Sequence, residues 1–208
     1  MRTMFGWRIG RFGIAAMVAV FAWHLQMPAA KADVYAFDPG HTNITFSWNH
    51  LGISRQSARI LEYDGVLDFD PENPESSTVE VTLKVASLFT GAKALDRDLR
   101  SSDFFDAARY PDITFKSAMV RKIGERSGEV AGDLTIMDTT RPVVLQVRWN
   151  FSGEHPLGQI NPGYRGKYVS GFSAVATVAR SEWGLKRAIP LVSDEIEITI
   201  EAEFLRRQ

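Results

Sequence analysis

The chain has no cysteine. Disulfide cross-links, thiolate nucleophiles, cysteine-ligated metals and attachment through a lipidated cysteine are therefore excluded. Histidine is scarce as well. There are four, and none stands in the H-x-H or H-x-x-x-H spacing that would mark a metal site. No G-x-S-x-G elbow is present, since Ser173 lies in G-F-S-A-V without the second glycine, and no glycine-rich phosphate loop appears. An excess of basic charge is also missing: 24 Lys and Arg stand against 25 Asp and Glu, a poor match for nucleic-acid phosphates. The one long apolar run, residues 12–25, falls short of the roughly 20 residues that span a bilayer.

That run belongs to an N-terminal segment with its own logic. Arg2, Arg8 and Arg11 form a basic start, and Ala30-Lys31-Ala32 puts small residues at the two positions a signal peptidase inspects. The expectation is a signal peptide over residues 1–32, cleaved after Ala32, with export to the periplasm. Residues 33–208 then form one domain, carrying 20 Lys and Arg against 25 Asp and Glu. A chain of that length buries about 70% of its unfolded surface, enough to fold without cross-links.

What is present is alternation with a period of two. Ile44, Phe46 and Trp48 face one way while Asn43, Thr45 and Ser47 face the other. Leu61, Tyr63, Leu67 and Phe69 continue the pattern up to a turn at Pro71-Glu72-Asn73-Pro74. Val79, Val81, Leu83 and Val85 follow, then Ile113 and Phe115, then Val130, Leu134 and Ile136, with Gly132 allowing a bend or a close approach. Val143, Leu145, Val147, Trp149 and Phe151 run in step. Residues 153–166 read as an irregular loop, residues 168–178 as a strand apolar on both faces, and Ile196, Ile198, Ile200 and Phe204 as the last inward row. About eight antiparallel strands result, which close into a barrel or stack as a sandwich; periodicity does not distinguish the two.

One stretch interrupts the strands. Leu95 and Leu99 share a helical face in residues 92–108, and Lys93, Asp96, Arg97, Asp98 and Arg100 are expected in water. Asp103 is placed to cap a second turn through Phe104 and Phe105, with Pro111 ending it. The acids here alternate with arginines, as on a solvated, ion-paired face and not as in a calcium site.

Chemistry has few candidates. His41 and His50 open and close one strand, and each either braces a turn or touches a ligand; His155 sits in the long loop. The residues support no catalytic site, no metal site and no required cofactor. The inward aromatic rows either fill a core or line a cavity.

The run LRSSDFFDAARYPDITF, with DPGHTNITFSWNHLG before it and GDLTI and R-S-E-W-G-L after it, resembles the YceI-like family. That family is described as periplasmic polyisoprenoid-binding proteins with a lipocalin-like barrel. The resemblance implies an all-β fold, an antiparallel eight-stranded barrel with a short helical insert near residues 92–108. It implies a binding protein, not an enzyme, holding a prenyl quinone or other amphiphilic lipid inside the barrel. The expected lining is Phe46, Trp48, Leu61, Tyr63, Leu83, Phe115, Trp149 and Phe172, with His41, His50, Phe104, Phe105 and Arg180 at the mouth or in polar contacts. Arg180 is also expected to close a buried ion pair or hydrogen-bond network. Similar proteins commonly read R-D-x-H before the Leu-Arg-Ser of this motif, where Leu95 and Asp98 stand here in the Arg and His places, so the head group bound here is open to differ. The implied partners are the lipid, a membrane or membrane cytochrome touched transiently, and a second copy in a homodimer. Alternatives are an accessory to quinone redox chemistry and a filled barrel that only docks other proteins.

Overall fold

The computed structural model describes residues 32–207. The expected signal peptide falls, but for Ala32, on residues outside that span. Within it the strands are β1 (Asp33–Phe37), β2 (Asn43–His50), β3 (Ser54–Ile60), β4 (Tyr63–Phe69), β5 (Thr78–Lys84), β6 (Leu88–Phe89), β7 (Asp112–Lys122), β8 (Ser127–Ile136), β9 (Thr139–Glu154), β10 (Tyr168–Ala179) and β11 (Glu195–Arg206). A single α-helix, α1 (Lys93–Arg100), lies between β6 and β7. None of the described helices is long and apolar enough to cross a membrane.

Eight strands close a ring in the order β1-β4-β5-β7-β8-β9-β10-β11 and back to β1, antiparallel throughout. The barrel expectation is met, and the sandwich alternative is not. Closure has one irregularity. Along one edge of β11, residues 197–201 pair with β2 and residues 204–206 pair with β1. From β2 the sheet continues through β3 to the two-residue β6. Full closure leaves few unpaired edges to aggregate.

Local chemistry explains where the ring bends. A side chain at Gly132 would run into the Lys116 carbonyl and the Phe115 ring, so only glycine lets β7 and β8 approach there. The β7–β8 register also shifts between Ser117 and Met119. A second bulge faces Gly171 and Phe172 of β10, which pair with Phe151 and Trp149 of β9. The extra residue, Asn150, flips the parity. Trp149 therefore points into the barrel while Phe151, expected in step with it, is turned out and is 42% exposed.

The helical insert is shorter than expected. α1 stops at Arg100, and residues 101–110 make successive turns in which the Phe105 N–H bonds the Leu99 carbonyl and the Ala107 N–H that of Arg100. Asp96 is also not in water but 7% exposed. Its carboxylate accepts from both the N–H and the hydroxyl of Thr90, each at 2.7 Å, which ties the helix to the β6 turn. Those two bonds hold the Asp96 pKa below the ordinary carboxylate value. Arg100 reaches back in the same way to the Leu88 carbonyl at 2.5 Å.

Candidate ligand-binding site

The inward rows do not fill the barrel. Two apolar chambers of about 230 Å³ and 480 Å³ lie inside it. Their order follows from the strands. Along β11, Phe204, Ala202 and Ile200 face only the smaller chamber, Ile198 faces both, and Ile196 faces only the larger. On β8 the same sequence is Val130, Leu134 and Ile136. The chambers are therefore stacked along the axis and meet at a waist made by Ile44, Leu83, Leu134 and Ile198. For scale, a cavity of ~150 Å³ takes a benzene ring.

Of the expected lining residues, Leu83 sits at the waist, Phe115, Trp149 and Phe172 face the smaller chamber, and Phe46 and Trp48 face the larger. Two lie elsewhere. Leu61 is 50% exposed, because the strand pattern breaks between β3 and β4 and its backbone N–H turns to the Ser87 carbonyl. Tyr63 packs on Phe37 with ring centres 5.1 Å apart, and its hydroxyl donates to the carbonyls of Thr42 (3.1 Å) and Pro39 (3.3 Å). Burial raises its pKa, so it remains a neutral donor bracing the β1–β2 loop.

The mouth residues divide in a similar way. Phe104 and Phe105, from the turns after α1, close over the larger chamber together with Leu95 and Leu99 of the helix. His50 faces that chamber at the end of the β2 row, and Gln56, opposite Trp48 on β3, joins it. Gln56 was not anticipated. Its strand reads as polar, and only the register against Trp48 shows which side it faces. His41 lies outside the barrel, in a separate recess on β11.

Arg180 reaches the larger chamber but is committed to the backbone. Its guanidinium donates to the carbonyls of Ser193 (2.9 Å), Leu185, Arg187 (2.9 Å) and Val192 (3.0 Å). Burial lowers its pKa and the nearby Asp194 charge opposes that. This is the hydrogen-bond network anticipated for it, with carbonyls in place of a direct ion pair. Beside it Trp183, 1% exposed, donates its indole N–H to the Leu134 carbonyl at 3.1 Å and so helps fix the waist.

Comparison with known proteins places this architecture. The YceI-like domain model matches residues 35–204. A UPF0312 protein of Pseudomonas syringae pv. tomato is 36% identical over 186 residues, covering 88% of this chain and 92% of its own. The crystal structure of the Campylobacter jejuni YceI protein superposes with a TM-score of 0.68 at 31% identity, over 77% of this chain and 90% of that one. A polyisoprenoid binding domain from Saccharophagus degradans, implicated in plant cell wall breakdown, shares the fold with a TM-score of 0.60 at 11% identity, over 85% of this chain and 99% of its own.

Proposed function

Because the chain belongs to the YceI-like family, we propose that it is a binding protein for a polyisoprenoid or a similar long-chain amphiphile, held along the barrel axis. The observation that carries this reading is the pair of apolar chambers stacked through a waist, a shape suited to one flexible chain and not to a compact solute. A buried methylene contributes about 0.8 kcal/mol, so a five-carbon unit gains roughly 4 kcal/mol before its ordering cost. A few units bind without any charged clamp. No catalytic role enters this reading.

The polar head belongs at the end of the larger chamber, near His50 and Gln56. Leu95 faces that chamber in the place where similar proteins carry an arginine. An apolar side chain there favours an uncharged head, such as a quinone ring, over a phosphate. Around the same end Leu51, Ile53 and Leu191 are 46%, 80% and 65% exposed, and Leu51 is joined to Leu191 through its N–H. These three offer an apolar lip that a membrane surface would cover while cargo passes. The basic start and small-residue cleavage site of the leader support a periplasmic location, and a lipid carrier or store between two membranes fits it.

The test is mass spectrometry of an organic extract of the protein isolated from its native compartment. A near-stoichiometric polyprenyl quinone or similar lipid is expected. Repeatedly empty extracts, with no binding of apolar dyes, would overturn the reading.

A further inference from the structure

The smaller chamber has an outlet of its own. Thr78, Lys122, Arg126 and Ser127 line it and are also exposed to solvent, so the chamber reaches the surface at the end of the barrel away from α1. Lys122 is the last residue of the inward row on β7: Phe115 pairs with Leu134 of β8, Val120 with Val130, and Lys122 with Gly128. Gly128 brings no side chain to that row, and a Cβ there would come within 2.9 Å of the Arg121 carbonyl. The strand pair therefore ends in a gap beside one long amine, whose stem can lie along the wall while its charge stays in water.

The two ends of the barrel are built differently. Over the larger chamber lie Leu95 and Leu99 of α1 and the turns that carry Phe104 and Phe105. Around the outlet of the smaller one the chain turns back tightly. The Ile123 and Gly124 N–H groups both bond the Ser127 carbonyl, at 2.9 and 3.0 Å, and the Trp149 N–H bonds the Arg126 carbonyl at 2.9 Å. Glu75, in the short helical turn Pro74–Ser76, accepts the Lys122 N–H at 3.1 Å and fixes the other side of the rim. The start of the long β9–β10 loop is drawn aside, with Pro156 and Leu157 lining the outer recess on β10 and β11. The rim is a fixed opening, not a lid.

Capacity gives this outlet a use. At ~150 Å³ for a six-carbon benzene ring, chambers of about 230 and 480 Å³ together hold on the order of 30 carbons. The inward row of β11 from Ile196 to Phe204 covers roughly 26 Å of strand, or about 20 Å along the axis at the usual tilt. A longer chain with its head near His50 and Gln56 must double back or leave through the far end. Doubling back needs two lengths of chain side by side at the waist. Leaving costs little, because the overhang is in water both before and after binding. We propose, resting on the lipid-binding reading of the chambers, that the barrel is open at both ends and takes amphiphiles longer than itself, the surplus tail passing out beside Lys122 between the β7–β8 turn and Pro74–Ser76. The barrel then reads the head and the first stretch of chain, and sets no upper limit to chain length.

The experiment uses farnesol and solanesol analogues that carry a photoreactive diazirine at the tail end, bound to the protein, irradiated and mapped by mass spectrometry of the digest. The solanesyl label is expected on residues 74–76 or 122–128, and the farnesyl label on the larger chamber or the waist. Lys122→Trp, at an exposed position, should leave the melting temperature unchanged, weaken the solanesyl compound at least about tenfold and move the farnesyl compound by less than about threefold. A solanesyl label confined to the larger chamber, or undiminished solanesyl binding in folded Lys122→Trp, overturns the outlet while leaving the lipid reading intact. Failure of both compounds to bind would overturn that reading and the outlet with it.

Discussion

The waist offers the sharpest test of how the barrel holds a chain. Ile198 of β11 faces both chambers and pairs with the small Ala176 of β10. Ile198→Trp should close the passage and confine any ligand to the larger chamber. At about 24 cal/mol per Å³ of cavity filled, denying a tail the 230 Å³ chamber costs about 5–6 kcal/mol. Freeing the tail's rotors offsets roughly half, leaving a loss of about 2–3 kcal/mol, or a ~30–150-fold weaker Kd. A short prenyl alcohol that fits within the larger chamber should change by less than about threefold. The assay is competition of long and short prenyl compounds against a fluorescent apolar probe, with melting curves beside it because overpacking costs about 1–3 kcal/mol of stability. Equal loss for long and short chains, or no loss for the long ones in a folded variant, would refute the stacked-chamber reasoning.

Three further outcomes are expected. Gln56→Leu should weaken a quinone-headed ligand by about 0.5–1.5 kcal/mol while leaving the matching hydrocarbon unchanged, as measured in the same competition assay. Arg180→Met should destabilise the fold by at least about 3 kcal/mol in urea unfolding, because the carbonyls of Leu185, Arg187, Val192 and Ser193 lose their donors together. Thr90→Val should bring Asp96 back toward the ordinary carboxylate pKa in a carbon-detected titration. Since the folded pKa is the depressed one, the parent's advantage is present above about pH 4 and closes as the pH falls.

The sequence made most of the barrel legible wherever strands carry large apolar residues in step. β2, β5, β8 and β11 read correctly for that reason. β3 did not, because its inward row is Gln56, Ala58 and Ile60, and small or polar residues give alternation no contrast. Its polarity is itself functional in the proposed reading, since it supplies Gln56 to the mouth. The fate of Phe151 depended on one bulge, which a period-two reading cannot register. Asp96 looked solvated beside Arg97 and Arg100 until the Thr90 turn folded back on it. Leu95 and Leu99 were correctly read as one face, but that they cover a chamber follows from tertiary placement. Pairings across distant strands, such as Glu203 with Asp38 and His41, carry no local signal.

The junction of β1 with β11 also governs the order of assembly. Tyr35 lies opposite Arg206, so the ring is completed by its first and last strands. Contacts so far apart in sequence form late, because the entropy of closing the intervening loop must be overcome before they contribute any stability. A ribosome still making β11 therefore holds a chain whose inward rows are open to water and proteases. The chambers of the proposed lipid site are enclosed only when β11 has docked on β10 and both β1 and β2 have paired with its free edge. A truncation removing Phe204 and the residues after it would take away β1's partner on β11 and open the ring beside the smaller chamber, leaving β2 as the one strand on that edge of β11.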